Sequence, residues 1–252
     1  MSKVRWGIVS AGNIANTFAR DMAYAPNAEI IAVAARSGVD AQAFADCHNI
    51  AKACEGYDRL FADDEIDAVY VATPHTLHLP NAADALRAGK AVMCEKPLTT
   101  SADECQQLLE VAAETGNYLM EAMWTWFLPA VRQAKAWFDE GRIGELRHVR
   151  ADFGYPKKYD PDDRVYNVEL AGGCLLDMGI YPIAINRLFT NAEPNNVQVV
   201  SKHAPNGVDD DVVMQFDYDD SVASLATSFR CKLPNTAYII GTEGHIEIPH
   251  FW

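Results

Sequence analysis

The chain has 252 residues, 49% of them hydrophobic, and a formal net charge of −14. That length can bury one large core or two modest ones. The acidic balance argues against nucleic acid and against anionic membrane surfaces as partners, because both recruit Lys and Arg. Six cysteines (Cys47, Cys54, Cys94, Cys105, Cys174 and Cys231) form no CxxC pair and have no His at zinc-ligand spacing, so neither a disulfide nor a metal site is expected. The start, Met1-Ser2-Lys3-Val4-Arg5-Trp6, lacks a signal-peptide core, and no apolar stretch is read as membrane-spanning. The expected location is a reducing cytoplasm.

Val4 to Val9 predicts a short strand and Ile14 to Tyr24 a helix, followed by a second strand over Glu29 to Ala35. The next stretch is weak and receives no assignment. Ile66 to Ala72 is a strong buried strand, Leu79 to Ala88 a helix closed by Gly89, and Lys90 to Cys94 another strand. Ser101-Ala102-Asp103-Glu104 has the form of a capping box, with Ser101 at the N-cap, opening a helix that Gly116 stops. Tyr118 to Ala122 is the last strand of this unit. Strands separated by helices of this length require parallel crossovers, so residues 1–123 are read as an α/β, doubly wound domain.

Beyond Met123 the pattern changes. Phe127 to Asp139 predicts a helix with Pro129 tolerated in its first turn. Strand-like segments then dominate: Leu146 to Phe153, Val197 to His203, Val212 to Tyr218, Val222 to Phe229, Ala237 to Ile240 and His245 to Ile248. One helix, Cys174 to Phe189, interrupts them, and hairpin signals stand at Tyr218-Asp219-Asp220-Ser221 and Thr242-Glu243-Gly244. Residues 124–252 are therefore read as an α+β domain on an open, mostly antiparallel sheet. Its apolar end, Pro249-His250-Phe251-Trp252, reads as C-terminally incomplete.

The segment Gly7-Ile8-Val9-Ser10-Ala11-Gly12-Asn13-Ile14-Ala15 approximates a dinucleotide-binding fingerprint between a strand and a helix, with Ser10 in the place of the first glycine. Gly12 lets the backbone approach a pyrophosphate, which sits on the helix N-terminus where Asn13 and Ile14 open the first turn. A plain βα turn is the competing reading. At the tip of the second strand, Ala34-Ala35-Arg36-Ser37 offers no carboxylate for ribose hydroxyls. Arg36 suits a 2′-phosphate and Ser37 adds a hydroxyl donor, which favours NADP, with NAD as the alternative. Thr73, Pro74, His75 and His78 suit a cofactor-lining loop at a strand's C-terminal edge, or else an ordinary surface loop. Glu95-Lys96-Pro97 places a charged pair at the exit of a core strand. Open α/β sheets hold their ligands at that edge, so Lys96 can reach cofactor and substrate. Asp177 and Tyr181 are four apart in the predicted helix and so share a face, as a catalytic pair or as a structural hydrogen bond.

Together these residues resemble the Gfo/Idh/MocA oxidoreductase family. The resemblance is carried by Arg5 through Gly12, Val33 through Arg36, Cys94 through Pro97, Met120 through Thr125 and Ala171 through Tyr181, across nearly the whole chain. It is most similar to NADP-dependent branches that act on cyclic trans-diols and on D-xylose. The resemblance implies a Rossmann domain, a second domain whose open sheet forms a homodimer interface, and a cis Lys96–Pro97 bond. Two departures stand out: Trp126 replaces an Arg of the diol branch, and family members run longer, with a final helix.

The implied reaction oxidises a secondary alcohol of a sugar or cyclic trans-diol, with hydride passing to NADP. Tyr181 is the candidate base. A free tyrosine titrates near 10, and the positive charges of Lys96 and the nicotinamide would lower that value. Lys96 also shares the proton relay, Glu95 orients Lys96 or contacts the cofactor, and Asp177 positions substrate or tunes Tyr181. Trp124, Phe153, Arg164 and Asn167, together with Tyr181, are the candidate substrate wall. Two alternatives stay open at this point: a dinucleotide-sensing regulator without turnover, and an inactive fragment of the same fold.

Overall fold

A computed structural model describes residues 3–251. Met1, Ser2 and Trp252, which belong to the N-terminal run and the closing apolar segment discussed above, lie outside them. The chain separates into two compact units, Met1–Ala122 and Met123–Trp252.

In the first unit, six strands form one parallel sheet: β1 Val4–Val9, β2 Ala28–Ala35, β3 Lys52–Glu55, β4 Ala68–Val71, β5 Ala91–Cys94 and β6 Leu119–Glu121. Their order is β3-β2-β1-β4-β5-β6, with every pair parallel. This is the doubly wound order, whose direction of winding reverses between β1 and β4 and opens a crevice at their C-terminal ends. Side-chain alternation feeds two cores. Ile8, Val33 and Tyr70 pack on one side with Phe44, while Val9, Val69 and Val71 pack on the other with Leu86 and Leu108.

The intervening helices are α1 Asn13–Asp21, α2 Gly38–His48, α3 Asp58–Phe61, α4 His78–Arg87 and α5 Ala102–Thr115. The unassigned stretch thus holds α2, β3 and α3. Ser101 caps α5 through the Glu104 amide (3.2 Å), as the capping box requires. The reciprocal arm differs: the Glu104 carboxylate accepts from the Thr100 amide at 2.9 Å and from the Thr100 hydroxyl, one residue before the cap. Gly116 ends α5 at φ 67, the left-handed stop expected of it.

The second unit adds α6 Pro129–Asp139, β7 Leu146–Gly154, α7 Ile180–Thr190, β8 Asn196–His203, β9 Asp209–Asp217, β10 Val222–Ser228, β11 Thr236–Gly241 and β12 His245–Pro249. The sheet order is β12-β11-β7-β10-β9-β8. All its pairs are antiparallel except β7 with β10. Both expected hairpins close, through Tyr218 N–H to Ser221 carbonyl (3.0 Å) and Gly241 N–H to Gly244 carbonyl (2.8 Å). The core includes Val149, Ala151, Ile185, Phe189, Leu225 and Ile239, which set α7 against β7 and its neighbours. On the opposite face Val200 and Val213 stand 65% and 46% exposed.

One reading changes here. By length and composition, Val168–Thr190 is apolar enough to cross a membrane, contrary to the expectation that no stretch reaches that length. The positive φ of Ala171 (52°) and of Gly173 (139°) interrupts it, and α7 lies in the core of its unit.

Candidate active site

In the first unit the candidate cofactor residues gather at the C-terminal ends of the parallel strands. Gly12 is the N-cap of α1 and offers that helix no side-chain cap, and no acidic residue stands in its first turn. The unsatisfied amides of this turn therefore have no carboxylate or hydroxyl to neutralise them, unlike those of α2 and α5. A Cβ built on Gly12 meets only Ser10 Oγ, at 3.6 Å. Its backbone (φ −78°, ψ −176°) is open to any residue. Nothing in the protein demands glycine there, whereas an anion approaching the turn does. Ser10, at φ 92°, holds a left-handed conformation that a side chain adopts at a cost, in the position of the first fingerprint glycine.

A cleft of about 460 Å³ extends from this turn, lined among others by Ser10, Gly12, Arg36, Asp40, Cys47 and Tyr57. Arg36 is exposed at its edge. The Tyr57 phenol is pushed up by burial and drawn back by the nearby Arg36 charge. These features fit a dinucleotide: open space over Gly12, an uncapped helix turn and a guanidinium at the β2 tip. Asn13 and Ile14 are exposed in that turn. Ser37 has a task that sequence reading missed, since its Oγ accepts from the Asp40 amide (3.3 Å) and caps α2.

The loop after β4 is more structural than expected. His78 is fully buried. Its Nδ1 lies 2.7 Å from the Pro97 carbonyl and its Nε2 2.9 Å from that of Thr73, so the ring ties two loops together instead of lining one. Burial lowers its pKa. Thr73 and His75 are each 6% exposed, and Thr73 Oγ1 accepts from Asn81 Nδ2 (3.3 Å). Pro74 is partly exposed between them.

Beyond β5 the Lys96–Pro97 peptide is cis. Glu95 receives the Tyr70 hydroxyl on one carboxylate oxygen and the Lys96 amide (3.2 Å) on the other. Burial pushes the Glu95 carboxyl above its ordinary range, while Tyr70 and Lys96 pull it back. Tyr70 was missed as a functional neighbour, although a phenol inside a buried strand signals a polar partner. Glu121, at the end of β6, accepts the Leu98 amide at 2.8 Å and is likewise raised by burial.

In the second unit Trp124 Nε1–H donates to the Tyr181 hydroxyl (3.1 Å), and the Phe153 ring stands 5.2 Å from Tyr181. Tyr181 is 7% exposed, so its phenol is walled by aromatic surface. Tyr155 extends the row at 5.6 Å from Phe153. Arg164 pairs with Asp177 at 2.9 Å. Asn167 spends its side-chain oxygen on the Glu169 amide (2.9 Å), capping a turn, which makes it a loop organiser.

The helical face assumed for Asp177 and Tyr181 is not α-helical throughout. Leu175–Gly179 is a π turn, and its i→i+5 bonding widens the helix so that four-residue spacing no longer stacks side chains. Asp209 sets the start of this turn, accepting the Leu175 amide (2.8 Å) and the Cys174 thiol (3.3 Å). Its sequence context, Asp209-Asp210-Asp211, gave only the signal of a solvated acidic run. Trp126, the departure from the diol branch, donates to the Ala184 carbonyl (3.0 Å) and so anchors its segment to α7. Among the described residues no group of three His, Cys, Asp or Glu could hold a metal ion.

Residues 4–123 match the model of the oxidoreductase family with an NAD-binding Rossmann fold, and residues 131–247 match the GFO/IDH/MocA C-terminal domain. The chain is 40% identical to trans-1,2-dihydrobenzene-1,2-diol dehydrogenase of Mus musculus, over 99% of this chain and 75% of that protein. It is 38% identical to the Danio rerio enzyme of the same name, with the same two coverages. Among solved structures, an aldose–aldose oxidoreductase from Caulobacter crescentus superposes at TM-score 0.92 with 26% identity, covering 98% of this chain and 77% of that one. A 3-ketoreductase from Actinomadura kijaniata in complex with NADP and TDP-benzene gives 0.88 and 32%, covering 99% and 77%. With both of its units matched in order along one chain, this protein belongs to the GFO/IDH/MocA oxidoreductase family.

Proposed function

We propose that the chain is a dehydrogenase that oxidises a secondary alcohol of a sugar or cyclic trans-diol, with NADP as its cofactor. The Tyr181 phenol carries this reading: it is buried, receives the Trp124 indole N–H and is walled by Phe153. A hydrogen bond donated to a phenol oxygen favours its ionised form, as a base for the substrate hydroxyl requires. When bound, the cofactor accepts hydride from the carbinol carbon. Tyr181 takes the hydroxyl proton, leaving a carbonyl product. Lys96 carries positive charge at the ligand edge of the first unit, and Glu95 fixes its backbone amide. Asp177, paired with Arg164, and the aromatic row orient the substrate ring.

NADP is favoured over NAD because the β2 tip presents Arg36 to the cleft. A structural neighbour in complex with NADP supports the same choice. The second unit is assigned substrate binding and, through its open sheet face, a homodimer contact. A cytoplasmic location fits the six free cysteines.

Nicotinamide absorbance over a panel of aldoses and trans-diols tests this directly. Turnover is expected with at least one member, and Lys96→Met and Tyr181→Phe should each lower kcat by about 10²–10⁴-fold. Variants as fast as the parent would overturn the assignment. Arg36→Asp should weaken NADP more than NAD, and equal weakening would remove the 2′-phosphate argument.

A further inference from the structure

Around Lys96 the first unit buries more negative charge than the expected Glu95 alone. Glu121 lies opposite Cys94 in the register of β5 and β6, and its carboxylate accepts the amide of Leu98, two residues beyond Lys96. Pro97 has no N–H, so the two amide donors of Lys96-Pro97-Leu98 each end on a carboxylate, one from Glu95 and one from Glu121. The Pro97 carbonyl faces His78 on the other side. The turn that carries Lys96 is thus held at three points by three side chains from different elements. Charged and titratable groups facing this cluster are Cys94 at the end of β5, Glu95 and Lys96 after it, Tyr70 from β4, and His78 with its neighbour His75, whose ring lies 5.7 Å away. Lys96 is the cation to which both carboxylates respond.

We propose that Glu121 is a positioning residue for Lys96: it holds the turn at Leu98 and, with Glu95, supplies the negative charge against which the ammonium is set. The inference rests on the reading of Lys96 as a participant in the reaction. Burying a second carboxylate is costly, and a backbone amide alone does not need one, since a glutamine oxygen accepts the same bond. The charge is what a glutamine would not supply.

Glu121→Gln separates the two tasks, because it keeps the acceptor and removes the charge. An anion favours protonated neighbours, so its loss should move the pH–kcat profile toward acid by about 0.5–1 unit. On the alkaline limb, where the Lys96 ammonium gives up its proton, the matching loss at fixed pH is about 3- to 10-fold in kcat. Glu121→Ala removes the Leu98 acceptor as well and should lose about a further 10-fold. A residue that only held the loop would leave the profile of Glu121→Gln in place. A readout independent of turnover is NMR of the full chain with ¹³C-methylated lysines, the Lys96 signal identified by its loss in Lys96→Arg. That signal should titrate at lower pH in Glu121→Gln. An unmoved Lys96 titration overturns the proposal. If the parent shows no turnover, the functional reading fails while the Lys96 titration still decides the role of Glu121.

Discussion

Replacing Gly12 with alanine should leave the free protein as stable as the parent and cripple its cofactor binding. The structure supports both halves. The added Cβ would meet only Ser10 Oγ at 3.6 Å, in a backbone conformation open to alanine. Folding should therefore gain slightly, by about 0.4–1 kcal/mol, from a less flexible unfolded chain. On the proposed cofactor placement the same methyl sits at the uncapped N-cap of α1, in the way of a pyrophosphate approaching the amides. Losing one charge-assisted hydrogen bond there costs about 1.5–3 kcal/mol, or roughly 10- to 150-fold in Kd. At a cofactor concentration 100 times the parent Kd, binding stabilises the parent by about 2.7 kcal/mol. The variant at that concentration should gain only about 0.3–1.4 kcal/mol. Thermal melting with and without NADPH reads both quantities. A cofactor-induced shift equal to the parent's would refute the pyrophosphate placement. A Tm lowered by several degrees without cofactor would show that the fold, not the ligand, requires the glycine.

Trp124→Phe removes the donor to the Tyr181 hydroxyl while keeping the aromatic wall, so the phenolate loses support and the limb of the pH–kcat profile set by Tyr181 should move to higher pH by about 0.5–1 unit; an unmoved limb would argue that Tyr181 is not the base. Gly173→Ala places a Cβ 2.3 Å from Asp209 Oδ1 at φ 139°, and should lower stability by about 2 kcal/mol or more, read as a lower urea midpoint at unchanged m. A stability equal to the parent's would mean that the Asp209 contact is not rigid. Glu121 has a further consequence for stability. Burial raises its folded pKa above the ordinary carboxyl value, so between the two the folded state holds a proton that the unfolded chain has released. Stability is then lost as pH rises from the unfolded value through the folded one. Denaturation of Glu121→Gln, which lacks this titration, should show the variant gaining on the parent across that window and the difference levelling off above it. A constant difference from pH 4 to pH 8 would contradict the burial argument.

Much of the fold was legible because its signals are local. The runs at Val4–Val9 and Ile66 to Ala72, the Ser101 cap and the Gly116 stop each express a preference of a few adjacent residues, and the structure keeps them, with the second run as Ala68–Val71. The stretch holding α2 and β3 escaped because its signals are faint. The buried residues of α2 are two alanines and Phe44, and β3 is a four-residue edge strand with partly exposed side chains. The candidate site divides in the same way. Gly12, Arg36, Lys96 and Tyr181 announce themselves by residue type against a strand end or a helix.

The amino-acid sequence by itself determined the parallel α/β unit, the later sheet and the residue types available for hydride chemistry, since periodicity and turn residues act over a few positions. Tertiary structure alone decided which polar groups serve others. Asp209 reaches Leu175 across 34 residues and Glu121 reaches Leu98 across 23, while His78 closes on Pro97 across 19. It also turned the Asp177 segment into a π turn, a change that four-residue spacing does not foretell. The reason is physical: a buried donor must find an acceptor, but which one is set by where the strands end in space.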